Sequence, residues 1–354
     1  MDPTAYLILQ NGKRFKGRAF GAAGQAVGQT VFTTGMAGYL ETLTDPSHCG
    51  QIVVQTFPLI GNYGIIPADF ESREPLLSAY IVKHWCREPS NFRSEGDLDA
   101  FLKAKGIVGL CGVDTRTLTK ILREEGVMNG VITADPDGVD FAALREYRVR
   151  DAVARAGTDK PYHAADGDKY KVCVLDFGLK RSLIEELAGR GCDVTVLPPD
   201  SSPDVLAAYK PDGVVLSGGP GDPADNPEII QNVKGILDMG LPVFGVDLGH
   251  LLLAMAGGCE RAALKYGHHG ASQPVRDLST GRVYVTGQNH GYAAVSDDCD
   301  ACKLTFINLN DGTCEGIEFK NKPAFSVQFS PKTCDGPQDT GFVYEKFIAM
   351  MNAK

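Results

Sequence analysis

The chain has 354 residues, of which 43% are hydrophobic and 22% charged, so it is long enough for two domains that each bury a core. Its net charge of -9 and pI near 5.3 argue against nucleic acid as a partner, because phosphate binding needs an excess of Lys and Arg. No apolar run approaches the roughly 18 residues of a membrane span, and the start MDPTAYLILQ lacks signal-peptide features, which predicts a cytoplasmic protein without membrane contact.

Residues 1–150 are predicted to form a β-rich α/β domain of short strands and turns. The stretch YLILQNGKRFKGRAFG alternates as a hairpin does, with Asn11-Gly12 as the turn. Helices are predicted in EGDLDAFLKAKG and in DTRTLTKILREEG, where Asp114 can cap the helix and Gly126 can end it. Residues 151–170 show no apolar period and supply Pro and Gly, which is typical of a linker.

Residues 171–354 are predicted to form a second domain with a mainly parallel, doubly wound sheet. From Lys171 onward, apolar strands such as KVCVLDF and GVVLSGG alternate with helical stretches such as PEIIQNVKGILDMG. Ligands of such sheets bind at the carboxyl ends of the strands, which is where the loop Ser217–Pro223 and Asp247 fall.

The segment FGVDLGH, Phe244 to His250, is predicted to be a nucleophile elbow, a sharp turn from a strand into a helix that presents one exposed side chain. The strand PVFGV precedes the turn, and the helical stretch LGHLLLAMAGG follows it. The residue at the tip is Asp247, a carboxylate where a nucleophile is expected.

The chain contains ten cysteines, spread from Cys49 to Cys334 without a regular spacing. A disulfide framework belongs to short secreted chains, so free and mostly buried thiols are predicted. The close pair Cys299 and Cys302 has neither a second pair nor a His at ligand spacing, and we interpret it as a surface loop rather than a zinc site. The sequence predicts no metal.

The combination of LSGGPGDP, the elbow and GQNHGY resembles the class I glutamine amidotransferases, and the whole chain is similar to the family of carbamoyl-phosphate synthetase small subunits. In the first domain the resemblance is carried by VGQTVFTTGMAGYLETLTDPSHCGQIVVQTFPLIGNYGI, EPSNF and GVDTRTLT. In the second domain it is carried by DFGLKRSLIEEL, GHHGASQPV, QNHGYA and AFSVQFSPK.

The resemblance implies a catalytic triad in which a Cys at the elbow attacks the side-chain amide of glutamine, a His moves protons and a Glu orients the His. The released ammonia passes to a large subunit, which uses ATP, magnesium and bicarbonate to make carbamoyl phosphate for pyrimidine and arginine biosynthesis. This chain itself is expected to hold no cofactor.

The sequence departs from the family pattern at each triad position. Asp247 stands in place of the Cys, Ser330 in place of the His and Lys332 in place of the Glu. Leu251 stands where the family segment CLGHQ has a Gln that helps to hold the substrate. A carboxylate that attacked an amide would form an anhydride, with no base nearby to protonate the leaving amine, so we expect glutaminase activity to be lost.

No other residue is predicted to replace the missing groups. His250, His268, His269 and His290 belong to motifs in which the family also carries His, and Cys259 lies past the end of the elbow helix. The Asp247 carboxylate can instead take up the oxyanion donors, the amides of Leu248 and of the Gly219–Gly221 turn, helped by the helix dipole. For Lys332 the sequence leaves open an ion pair with Asp247 and a solvated position at the rim.

Other positions of the family's pocket are retained, and weak or absent glutamine binding is expected because Leu251 removes polar contacts and Asp247 adds negative charge. The resemblance assigns to this pocket Ser47, Gly219, Gly221, Leu248, Asn289, Gly291 and Tyr292. Three hypotheses follow: a non-catalytic subunit that supports an ammonia-using large subunit, a regulatory subunit whose pocket senses a metabolite, and an altered enzyme that uses Asp247.

Overall fold

The computed structural model describes residues 3–295, 299–332 and 338–353. The chain divides into an N-terminal unit, Met1–Ala152 with Lys265–His269, and a C-terminal unit, Val153–Leu264 with Gly270–Lys354. Within the described ranges, none of the helices combines the length and the apolar character that crossing a membrane requires.

The N-terminal unit is built on a closed β-barrel. Its strands are β1 (Thr4–Leu9), β2 (Arg14–Gly21), β3 (Ala26–Thr33), β4 (Gln51–Gln55), β5 (Leu59–Ile60), β6 (Ala79–Val82), β7 (His84–Trp85), β8 (Val108–Cys111) and β9 (Met128–Thr133). Its helices are α1 (Tyr39–Thr44), α2 (Leu98–Ala104), α3 (Thr115–Glu125) and α4 (Phe141–Glu146). The barrel order is β1-β2-β8-β6-β4-β3-β9, and β5 pairs with β7 in a separate small sheet.

Local signals in the sequence account for several of these elements. Strands β1 and β2 pair antiparallel around Gly12, whose φ of 86° is the left-handed conformation that such a turn needs. At the start of α3 the Asp114 carboxylate accepts a hydrogen bond from the Thr117 amide, and the helix ends before Gly126 at a φ of 96°. The predicted hairpin and the predicted helix at DTRTLTKILREE are therefore confirmed.

The C-terminal unit contains a long mixed sheet with helices on both faces. Its strands are β10 (Tyr162–Ala165), β11 (Tyr170–Leu175), β12 (Cys192–Leu197), β13 (Gly213–Leu216), β14 (Val243–Val246), β15 (Glu260–Asp277), β16 (Val283–Val295), β17 (Cys302–Asn308), β18 (Cys314–Phe319) and β19 (Ala324–Val327). The middle of β15, Lys265–His269, belongs to the N-terminal unit. The helices from the unit boundary onward are α5 (Ala152–Ala156), α6 (Arg181–Ala188), α7 (Pro203–Ala208), α8 (Pro227–Asp238), α9 (Leu248–Ala256) and α10 (Phe342–Asn352).

The centre of this sheet is parallel, as predicted. Strands β12, β11, β13, β14 and β19 follow one another with parallel pairing, and β10, β18 and β17 add antiparallel pairs at the sides. Alternate residues of the central strands face opposite ways: Leu216 packs with α8 and α9, whereas Val215 packs with α6 and α10. Both faces are covered, which explains why the strands are apolar throughout.

The segment interpreted as a linker, residues 151–170, is not without structure. It contains α5 and the edge strand β10, which pairs antiparallel with β12. Tyr162 packs against one of the two cores of the C-terminal unit. A short, half-buried edge strand has few apolar residues, which is why the lack of an apolar period concealed it.

The turn between β14 and α9 forms the elbow. Asp247 has φ 52° and ψ −113°, a conformation that non-glycine residues rarely adopt, and its amide donates to the Val327 carbonyl of β19 at 3.0 Å. A Cβ added at Gly249 would lie 2.2 Å from the Leu216 carbonyl oxygen, and one at Gly245 would lie 2.7 Å from the Gly249 oxygen. The predicted elbow is thus confirmed, and neighbouring glycines allow the helix to approach the sheet this closely.

We expect Gly249→Ala to destabilise the C-terminal unit by about 1–3 kcal/mol, because the added methyl group must push α9 away from β13. Gly291→Ala is the matched control, since a Cβ there meets nothing within 4 Å. Urea unfolding should be followed by far-UV circular dichroism, because the single Trp, Trp85, reports only on the N-terminal unit. Equal stability of the two variants would contradict the close approach at Gly249.

Candidate functional site

The side chain at the elbow tip is buried and hydrogen-bonded. Asp247 is 5% exposed. Its Oδ2 accepts a hydrogen bond from the Gly219 amide at 3.4 Å, and its Oδ1 accepts one from Nε2 of Gln328 at 3.3 Å. The carboxylate does not cap its own helix, although it lies at the N-terminus of α9, where the helix dipole favours a negative charge. The Gly219 amide is one of the donors that the sequence predicts for this carboxylate.

The glycine-rich loop after β13 can approach Asp247 because it carries no side chains there. A Cβ at Gly218 would lie 2.9 Å from Oδ2 of Asp247, and one at Gly219 would lie 2.3 Å from the Phe177 carbonyl oxygen. Gly221 has a φ of 94°, the left-handed conformation. The loop therefore brings a backbone amide to the position where a developing anion would be stabilised in an acyl-transfer site.

Lys332 pairs with Glu186 of α6, which neither of the two alternatives for this side chain had included. Its Nζ lies 2.8 Å from Oε1 of Glu186, and Nη1 of Arg190 lies 2.7 Å from Oε2 of the same carboxylate. Burial raises the pKa of Glu186, but the hydrogen bonds and charges of Lys332 and Arg190 outweigh burial and hold that pKa below its usual value. The sequence could not indicate this partner, because Glu186 lies on a helix far away along the chain.

Ser330 and Gln328 lie on the segment that follows β19. The Ser330 amide donates to the Gly287 carbonyl oxygen of β16 at 2.9 Å, and Ser330 is half-buried. Gln328, which was not among the predicted site residues, is fully buried, and its Oε1 has no hydrogen-bond partner among the described residues. Its position in the sequence, directly after the predicted strand and two residues before Ser330, was the available signal.

Leu248 and Leu251 both belong to the hydrophobic core rather than to a polar pocket wall. Each is 2% exposed and packs in the cluster that also contains Leu216 and Ala294. Leu251 therefore presents only apolar atoms where the family resemblance implies an amide.

Tyr292 on β16 contacts a charged pair beside the glycine-rich loop. Arg261 makes two hydrogen bonds of 2.7 Å to the carboxylate of Asp222, and its guanidinium lies 5.1 Å from the centre of the Tyr292 ring. Burial and the negative charge of Asp222 raise the pKa of the Tyr292 hydroxyl.

Asn289 and Gly291 lie on the same strand as Tyr292, and a Cβ at Gly291 would meet open space. Ser47 lies in the N-terminal unit, where it is buried and its amide donates to Asp45.

Two histidines of the C-terminal unit, His250 and His290, make ring hydrogen bonds to groups other than Asp247. His250 is completely buried on α9, its Nδ1 contacts Oγ of Ser326 at 2.8 Å, and burial lowers its pKa to about 3. His290 uses its two ring nitrogens to contact the Tyr292 carbonyl oxygen and Oε1 of Gln288. Both rings are held by structural hydrogen bonds.

The interpretation of Cys299 and Cys302 as a surface loop is wrong. Both residues are buried. Cys299 forms a disulfide with Cys259, so the prediction of free thiols is wrong for Cys259 and Cys299. The sequence separation of 40 residues concealed the contact, since no spacing pattern connects Cys259 to the other two. The remaining described cysteines are free and mostly buried, as predicted.

Comparison with known proteins matches both halves of the chain. Residues 7–132 match the family described as carbamoyl-phosphate synthase small chain, CPSase domain, and residues 173–350 match glutamine amidotransferase class-I. The carbamoyl phosphate synthase small chain of Bacillus caldolyticus is 46% identical over 98% of this chain and 96% of its own length. That of Clostridium perfringens is 45% identical over 97% of this chain and 98% of its own length.

Among solved structures, a glutamine amidotransferase from Thermotoga maritima is similar to 52% of this chain, and the match covers 82% of its own chain. The sequence identity is 17% and the TM-score is 0.38.

We expect Lys332→Met to lower the free energy of unfolding by about 0.5–1 kcal/mol at neutral pH, because Glu186 loses one of its two cations. The pKa of Glu186 is depressed in the folded state, so this stabilisation is present at neutral pH and is lost as the pH falls through that pKa. The difference between variant and wild type should therefore stay constant from pH 7 to about 5 and shrink as the pH falls below about 4.3, the ordinary pKa of Glu.

Urea unfolding at several pH values measures this difference. Lys322→Met, which removes an exposed pair with Asp238, is the control and should have a smaller effect. A difference for Lys332→Met that does not change with pH would contradict the pair with Glu186.

Proposed function

The chain belongs to the carbamoyl-phosphate synthase small-chain family, and on this basis we propose that it serves as the small subunit of such a synthase without hydrolysing glutamine itself. The observation that carries the proposal is the buried carboxylate of Asp247 on the Gly219 amide.

Asp247 stands where an amidotransferase needs a nucleophile, and its carboxylate lies against the amide that such an enzyme needs as an oxyanion donor. It already accepts the hydrogen bond that would otherwise stabilise the anion formed from the substrate amide. If it attacked an amide it would form an anhydride, which is less stable than the amide. The hydrogen bond from the Gly219 amide to the Asp247 carboxylate therefore stabilises the unreacted site and opposes the reaction with an amide.

The groups that should move protons are also missing. A Ser330 hydroxyl does not accept a proton at neutral pH, and the Lys332 ammonium is held by Glu186. A departing amine would therefore leave without a proton donor, which raises the barrier for release of ammonia. Leu251 and the negative charge of Asp247 further weaken the binding of glutamine, which carries a carboxylate of its own.

The retained function is binding to the large subunit. The N-terminal unit keeps its family motifs, and two side chains within them, Phe92 and Met36, are 96% and 78% exposed, more than the other large hydrophobic residues described. The large subunit would use ATP, magnesium, bicarbonate and free ammonia, and the product would supply pyrimidine and arginine biosynthesis. Binding of this chain would stabilise the active conformation of its partner.

The reconstituted pair should make carbamoyl phosphate from ammonium chloride, ATP and bicarbonate, whereas glutamine should give no more than background. Asp247→Asn should leave the ammonium-dependent rate unchanged, because the side chain has no catalytic duty and the amide keeps its size. Initial rates with each nitrogen source measure both effects. Synthesis from glutamine that Asp247→Asn abolishes would instead support an altered enzyme that uses Asp247.

Restoring the thiol alone should not restore glutaminase activity. In Asp247→Cys the thiol is mostly protonated at neutral pH, and the leaving amine still lacks a donor. Combining Asp247→Cys with Ser330→His, Lys332→Glu and Leu251→Gln should give ammonia release above background, measured without the large subunit. The same combination with Asp247→Ala is the control. Appreciable turnover by the single variant would show that another group acts as the base.

A further inference from the structure

Three buried cysteines of the C-terminal unit lie together at the end of α9 that is opposite to Asp247. The Sγ atoms of Cys259, Cys299 and Cys302 all lie within 4.8 Å of one another, and each residue is 6–7% exposed. The helix has 9 residues and is therefore about 13 Å long, so this cluster is separate from the elbow. The proposed function does not use it.

The backbone around the cluster places its sulfur atoms at two tight turns. The Cys302 amide donates to the Cys299 carbonyl oxygen at 3.3 Å, which folds the segment between them back on itself. Cys259 follows Gly258, whose φ is 93°, and its amide donates to the Ala254 carbonyl oxygen at the end of α9. Turns of this kind, with two Cys separated by two residues, also present thiolates in structural zinc sites.

The Cys299–Cys302 turn is fastened to β18 and lies beside a positive charge. The Lys320 amide donates to the Ala301 carbonyl oxygen, and Nζ of Lys320 donates to the Asp300 carbonyl oxygen at 2.8 Å. A divalent cation with three thiolates has a net charge of −1, which this ammonium group partly offsets. The disulfide between Cys259 and Cys299 accounts for two of the sulfur atoms but not for the third.

We propose that, in its reduced form, the cluster of Cys259, Cys299 and Cys302 binds one thiophilic d10 cation of the Zn²⁺ class. A dithiol or phosphine reductant supplies two electrons to the disulfide, and two protons complete the two thiols. The cation then displaces three protons as it forms three metal–sulfur bonds. Oxidation by a disulfide or peroxide reverses these steps, releases the cation and restores the bond between Cys259 and Cys299.

The donor set selects the cation. Thiolates favour soft or borderline ions such as Zn²⁺, whereas Mg²⁺ and Ca²⁺ require oxygen ligands. Three protein ligands leave a fourth position of a tetrahedral site for water or an external thiol.

The test is a titration of the full-length chain, reduced with a phosphine under anaerobic conditions, with Co²⁺ as the spectroscopic probe. We expect thiolate-to-cobalt absorption that saturates at one Co²⁺ per chain and disappears on addition of Zn²⁺. Cys302→Ser is the decisive variant, because it removes the third ligand and leaves the disulfide pair intact. It should weaken binding by more than the roughly 10- to 100-fold that loss of an outer-shell group costs.

Cys314→Ser, which changes a buried free thiol outside the cluster, should bind like the wild type. Circular dichroism of each variant separates loss of binding from loss of folding, and Cys302→Ala provides a second variant if the serine is poorly tolerated. Stoichiometric binding that Cys302→Ser does not change would overturn the proposal. Absence of stoichiometric binding, or a disulfide that resists the reductant, would overturn it as well, because the cluster would then be only a disulfide with a neighbouring thiol.

Discussion

The close approach of α9 to the parallel sheet is the constraint on which the arrangement of the site depends. Gly249 lies so near the Leu216 carbonyl that a side chain has no room, and Asp247 consequently stands in a left-handed conformation at the end of β14. A conformation of this kind costs about 1–3 kcal/mol and persists only where the surrounding packing determines it. The turn is formed here although its tip residue is a carboxylate. This indicates that the core on both faces of the sheet maintains the turn, rather than the chemistry of the tip residue.

Once the turn is given, electrostatics explains how the substituted residues coexist. A buried carboxylate needs donors, and Asp247 has them in the Gly219 amide and in Gln328, with the helix dipole adding to the stabilisation. Lys332 is paired with Glu186 in a cluster that also includes Arg190. The charges of Asp247 and Lys332 are thus each held by neighbouring groups. In the function that we propose, this arrangement supports binding, because acyl transfer requires a free base and a free proton donor.

The helix α9 connects two features of different chemistry. Its N-terminus carries the acidic elbow, and the residue three positions beyond its C-terminus is Cys259, which joins the strand-rich end of the unit through Cys299. The family resemblance accounts for the first feature, since the glycine-rich loop, the elbow segment and the order of the motifs all belong to it. It does not account for the three cysteines, whose association rests on the fold of this chain. The chain thus combines a retained architecture with a local thiol cluster.

The sequence alone was sufficient to predict the elements whose causes are local. The turn at Gly12, the caps of α3 at Asp114 and Gly126, the apolar parallel strands and the position of Asp247 at a strand-to-helix turn all follow from short stretches of chain. The motif order indicated the family in the same way. The edge strand β10 was not predicted, because pairing with β12 stabilises it and its sequence has no apolar period. The partners of Lys332 and of Cys299 were decided by the tertiary structure, because Glu186 and Cys259 are brought to them from distant segments when helices pack on a sheet. No spacing in the sequence records which side chains meet across such a packed layer, and the charge or thiol that each residue finds there determines what it does.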